Sequence, residues 1–94
     1  MNILDQVQEK HRFMQMAHES ILNHLDDSEF KLNDFVKDML VSSSTLYNKI
    51  HETTGLSVSG YISAVRMDQA VKIARLYPEL SQTKISMMVG FNSP

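Results

Sequence analysis

A pattern recurs in this chain at an offset of fifty residues. Phe35-Val36-Lys37-Asp38-Met39-Leu40-Val41-Ser42 lies over Ile85-Ser86-Met87-Met88-Val89-Gly90-Phe91-Asn92. Apolar residues meet at 35/85, 39/89 and 41/91, and a capping residue meets a capping residue at 42/92. Each copy reads as a short helix, a turn of about three residues and the N-cap of a following helix. A chain built on such a unit folds as packed helices, and nothing in it offers the alternating apolar and polar runs of strands. The reading is therefore all-α, with helix-turn-helix geometry.

The punctuation between the copies agrees. Leu32, Phe35, Val36 and Met39 fall on one face of a short helix of about 8–9 residues with a weak cap at Lys31 or Asn33. Ser42 or Ser43 opens the next helix, Leu46 and Ile50 form its i, i+4 apolar pair, and Gly55 closes it with Leu56 just beyond. Ser57 caps a long helix from Val58 to about Tyr77, stopped by Pro78. Its apolar residues shift from Val58–Tyr61–Ile62–Val65 to Met67–Ala70–Ile73–Ala74–Tyr77, as in a helix bridging two packing partners. Ser81 or Thr83 opens a last short helix, Lys84 to Val89, ending at Gly90. Ahead of all this, Leu4, Val7, His11, Met14, His18, Ile21 and Leu25 recur at spacings of three and four, a heptad seam in one long helix. A second stripe, Phe13, Met16, Ala17 and Ser20, begins only at Phe13. The expected organisation is a stalk helix over residues 1–12, a first helix-turn-helix unit over 13–56, a linker helix over 57–78 and an incomplete second unit over 79–94. In that second unit, with its last helices missing, the apolar faces of Ile85, Met88, Val89 and Phe91 are expected to be exposed.

Composition narrows the function classes. The chain has no cysteine, so disulfide and thiol chemistry are excluded. The first ten residues lack the basic-then-apolar run of a signal peptide, and no stretch approaches the ~20 apolar residues of a membrane span; a cytoplasmic location is expected. Net charge is −2, but residues 1–41 carry eight acidic against four basic side chains, whereas residues 42–77 carry four basic against two acidic. That mildly basic middle is permissive for a polyanion. No glycine-rich phosphate loop or paired carboxylates mark an enzyme, and no metal-ligand spacing is present, so neither catalytic residues, metal nor cofactor are expected.

The helix opened by Ser42 or Ser43 has an unusual outer face: Ser43, Ser44, Tyr47, Asn48 and His51 are polar, mostly uncharged and rich in hydrogen-bonding groups. Here the residues resemble a family. V-S-S-S-T-L-Y-N-K-I-H-E-T-T-G-L-S-V-S-G-Y-I-S-A-V-R-M-D-Q-A is similar to the signature of AraC/XylS-type DNA-binding domains, S-x-x-x-L-x-R-x-F-K-x-x-x-G followed by S-P-x-x-Y-I-x-x-x-R-L-x-x-A. K-I-S-M-M-V-G-F-N-S-P resembles that family's I-A-x-x-x-G-F-x-S. The resemblance covers roughly Phe13 to Pro94 and implies two helix-turn-helix units joined by a long helix, with double-stranded DNA as partner. It also resembles the output domains of hybrid two-component regulators. By family position, Ser44, Tyr47 and Asn48 are candidates for base edges, and Ser43, Thr45, Lys49 and His51 for phosphates. The competing reading of the same face is a solvated helix surface. Asn48 stands where the family often carries Arg, Val58 where it carries Pro, and Leu40 where it carries the turn glycine.

Three further expectations concern residues beside this face. The N-terminus of the long helix, Ser57 to Ser59, is either a plain N-cap or a phosphate site. Arg66 is expected in a structural ion pair with an acid of the first helices. The seam from Leu4 to Leu25 is the basis of an alternative function, a helical homodimerisation or protein-interaction fragment; no small-molecule ligand is expected.

Overall fold

The computed structural model describes residues 2–91 and places five helices in them, with no strand among the described residues: α1 (Ile3–Asn23), α2 (Leu32–Met39), α3 (Ser43–Thr54), α4 (Val58–Leu76) and α5 (Gln82–Met88). The cap at Asn92 and the helix it announces lie outside the described residues.

Local chemistry sets most boundaries. Asn2 accepts from the Asp5 amide at 2.8 Å, Ser42 from Thr45 at 3.1 Å, Ser57 from Gly60 at 3.0 Å and Ser81 from Lys84 at 3.1 Å. Each bond satisfies one of the amides that a helix start leaves without a partner. At α2 the N-cap is Lys31, which has no side-chain acceptor; instead the Asp34 carboxylate reaches back to the Lys31 amide at 3.2 Å. Gly55 closes α3 in the left-handed conformation (φ 76°), the role expected of it. Leu40 closes α2 in the same conformation (φ 57°, ψ 39°), the only non-glycine residue at positive φ among those described, with a side chain 89% exposed.

The core gathers Ala17 and Ile21 of α1, Phe30 of the following turn, Phe35 and Met39 of α2, Leu46 and Ile50 of α3, and Val58, Ile62 and Val65 of α4. Of the two stripes expected on α1, the inner one loses Met16. On the heptad seam Leu4 and Val7 are 64% and 56% exposed, Met14 and His18 are half-buried and Ile21 is buried, and α1 stops at Asn23, before Leu25. Burial begins at Phe13 and Met14 and runs through Ala17, Ser20 and Ile21, while Met16, assigned to the inner stripe, is 47% exposed.

Ser20 is buried and polar, and the structure shows why it is tolerated. Its hydroxyl donates to Asp38 Oδ2 at 2.8 Å, and His24 Nε2 meets the same oxygen at 3.0 Å. The His24 ring stacks on Phe30, with centroids 4.6 Å apart and planes 8° from parallel. One carboxylate of α2 thus ties the end of α1 to the turn that precedes α2.

The expectation of bare apolar faces on α5 is wrong. Val89 is fully buried, Ile85 is 8% exposed, and Met88 and Phe91 are half-buried. Gly90 (φ 91°) makes this possible: a Cβ there would stand 2.3 Å from the Leu25 carbonyl oxygen and 2.9 Å from Arg66 Nε. Only a glycine lets the end of α5 dock this closely on the α1–α2 turn. In this half of the chain the large apolar residues left exposed include Met67, Val71, Leu76 and Tyr77 around α4 and Met87 on α5.

Candidate nucleic-acid interface

α3 is presented by two neighbours. A three-residue turn, Leu40-Val41-Ser42, separates it from α2, and Leu46 and Ile50 sink into the core. Those two residues fix the helix's rotation. At 3.6 residues per turn, Ser44, Asn48 and His51 then lie opposite them, and all three are exposed. Tyr47 is 45% exposed and stacks its ring on His51, with centroids 5.4 Å apart and planes 7° from parallel. The two rings thus form a stacked pair that presents a phenolic hydroxyl and an imidazole side by side.

The remaining predicted residues sit on the flanks of this face. Ser43, exposed in the first turn of α3, borders a cavity shared with α4 rather than the outward side. Thr45 is half-buried, and its Oγ1 accepts from the capping Ser42 hydroxyl at 2.9 Å. Lys49 turns toward α1, where its ammonium lies 5.2 Å from the centre of the Phe13 ring. The structure thus brings Ser44, Tyr47, Asn48 and His51 together and sets Ser43 on one side of them, Thr45 and Lys49 on the other.

Arg66 departs from its expected role. It is 8% exposed but pairs with no carboxylate among the described residues; its Nη2 donates to the Asp27 backbone carbonyl at 2.8 Å. The acids of the first helices are spent elsewhere, Asp38 on Ser20 and His24 and Asp34 on the Lys31 amide. Sequence reasoning also missed Lys31 and Ser28 as neighbours of α3; they come from a turn far away in the chain, and no local pattern marks them.

A face of this kind offers donors and acceptors without a strong field. Asn, Ser and Tyr side chains match base edges, and histidine adds a donor that strengthens on protonation. No described helix is long and apolar enough to cross a membrane.

No protein-family model matches the chain. Over 65 residues it is 37% identical to the Msm operon regulatory protein of Streptococcus mutans, a match covering 69% of this chain and 23% of that protein. Over 83 residues it is 25% identical to histidine kinase P4 of Formosa agariphila, covering 88% of this chain and 6% of that one. The chain thus spans less than a quarter of the length of these curated relatives. Among solved structures it resembles the C-terminal domain of the two-component response regulator YesN from Fusobacterium nucleatum, with a TM-score of 0.67 and 26% identity over 85% of this chain and 83% of that one. This all-helical chain therefore shares, over most of its length, the fold of a response regulator's C-terminal domain.

Proposed function

We propose that this chain is a sequence-selective DNA-binding module of a transcription regulator, reading the major groove with α3. The observation that carries the reading is the outward face of α3. Ser44, Tyr47, Asn48 and His51 stand together, exposed and uncharged at neutral histidine, behind a three-residue turn from α2. A helix of this kind fits the groove, where asparagine pairs bidentately with adenine and serine with either partner of a base pair. The fold shared with a response regulator's C-terminal domain supports the same reading, as does the match to an operon regulatory protein.

In this reading Ser44, Tyr47 and Asn48 meet base edges, and Ser43, Thr45, Lys49 and His51 lie nearest the phosphates. Lys49 leaves the Phe13 ring to do so, at the cost of its cation–π contact. The relatives' descriptions support a parent protein that belongs to a two-component system, with this chain as its output domain; in this reading it works in the cytoplasm. The α1 stalk carries a second, compatible reading. Ile3, Leu4 and Val7 are 79%, 64% and 56% exposed on one helix, and pairing two stalks covers them in a homodimer. Sedimentation of the wild type and of Val7→Lys separates the two: a monomer in both removes the dimer and leaves DNA reading intact.

The direct test of the DNA reading is selection from a random duplex pool, followed by titration of selected and scrambled duplexes at several salt concentrations. A preferred sequence, with affinity falling linearly in the logarithm of salt concentration, is expected. Equal binding to selected and scrambled duplexes would remove base reading by α3.

A further inference from the structure

α3 carries little charge for a helix that meets a polyanion. With histidine neutral, its twelve residues hold one cation, Lys49, and one anion, Glu52. A charged contact from α3 to a phosphate therefore depends on where Lys49 goes. Its ammonium turns from the side of Ser44 and Asn48 toward α1, where it lies 5.2 Å from the centre of the Phe13 ring. That distance is within the reach of a cation–π contact, in which the negative face of the ring holds the charge. Lys10 and Glu52 border the same hollow with opposite charges, and Lys49 makes no ion pair with a carboxylate among the described residues.

The ring is fixed in position. Phe13 is half-buried and packs against the core, where side chains keep to one arrangement. It is also the first residue of α1 to meet the domain, because residues 2–12 before it are all exposed. α1 runs unbroken from Ile3 to Asn23 with Phe13 at its middle, so the stalk and the ring belong to one rod.

We propose that this contact restrains DNA binding: α1, through Phe13, holds the one cation of α3 back from the phosphates of a duplex. To reach a phosphate Lys49 must give up the ring, and that loss lowers the affinity for every sequence alike. Because the stalk is part of the same helix, its position sets how firmly Lys49 is held. α1 is then the handle by which duplex affinity is tuned without touching the base-reading residues. The inference rests on the reading of α3 as a DNA-contacting helix and adds how that contact is regulated.

The test uses the full chain and has two readouts. The first needs no DNA. In the free protein the Lys49 ε-methylene protons should be shifted upfield by the Phe13 ring, and Phe13→Leu should return them to the ordinary lysine position. Ordinary positions in the wild type would overturn the restraint. The second readout is titration of the preferred duplex and a scrambled one at several salt concentrations. Phe13→Leu should raise affinity for both by roughly two- to fivefold, the equivalent of one exposed cation–π contact, with an unchanged dependence on salt. Lys49→Ala should lower the salt slope by about one and abolish the gain from Phe13→Leu. Adding the preferred duplex to wild type should remove the upfield shift of the Lys49 protons. A Phe13→Leu affinity at or below that of wild type, or a gain that persists without Lys49, would overturn the restraint and leave the DNA reading standing. Absence of binding to any duplex, by wild type and Phe13→Leu alike, would overturn both. If Phe13→Leu does not fold, the wild-type lysine signals decide: an upfield shift that survives in the duplex complex sinks the proposal.

Discussion

Leu40 is the residue where this fold should yield most easily to improvement. It ends α2 at φ 57° and ψ 39°, at the start of the turn from which α3 departs. A side chain with a Cβ in the left-handed region costs roughly 1–2 kcal/mol. Its side chain is 89% exposed, so removing it forfeits almost no packing. Leu40→Gly therefore recovers the strain, while glycine's freedom in the unfolded chain returns roughly 0.5–1 kcal/mol of it. The net expectation is a gain of about 0.5–1 kcal/mol, or about 2–8 °C in a domain of this size. Leu40→Ala keeps the strained backbone and should be nearly neutral, which isolates the conformational effect from any loss of exposed apolar surface. Urea and thermal unfolding followed by circular dichroism measure all three. A glycine variant less stable than wild type would refute the argument, and it would mean that Leu40 makes a contact the exposure denies.

Other consequences follow from particular contacts. Gly90→Ala puts a Cβ 2.3 Å from the Leu25 carbonyl at φ 91°, so the end of α5 must come off the α1–α2 turn; a loss of about 2 kcal/mol or more in unfolding free energy is expected. Asp38→Ala orphans the buried Ser20 hydroxyl and frees His24, and should cost about 1–3 kcal/mol, with Asp38→Ala/Ser20→Ala costing less than the sum of the singles. Glu52, exposed on α3 one residue from His51, repels phosphates in the DNA reading, so Glu52→Gln should raise affinity for any duplex without changing which is preferred. Burial raises the Tyr61 pKa above its ordinary 10.0, so the folded state holds that proton longer than the unfolded chain does. Stability should therefore begin to fall as pH passes about 10, and Tyr61→Phe should flatten that fall in an alkaline denaturation series.

Much of the architecture was legible because its signals are local. Ser42, Ser57 and Ser81 cap the helices they precede, Gly55 closes α3, and the short α2 came from the spacing of Leu32, Phe35, Val36 and Met39. The exposed side of α3 followed from Leu46 and Ile50 alone. The misreadings share a different cause: they depended on partners distant in the chain. Arg66 looked like half of an ion pair, but Asp38 had already been claimed by Ser20 and His24, and the carbonyl that binds Arg66 lies thirty-nine residues away. Ile85 and Val89 looked bare because the rest of their unit was expected to cover them, whereas they are buried within the described residues, where Gly90 brings the end of α5 close to the α1–α2 turn. Lys31 and Ser28 reach the candidate site through the turn before α2, which no motif around α3 encodes.

The central claim is that α3 reads bases through the residues opposite Leu46 and Ile50, and Asn48 is its most discriminating test. Binding of wild type and Asn48→Ala should be measured against the selected duplex and its full set of single-base variants at one salt concentration. The account predicts that the variant loses preference at one position by ~1–3 kcal/mol and keeps it at the others. An unchanged preference at every position would contradict it.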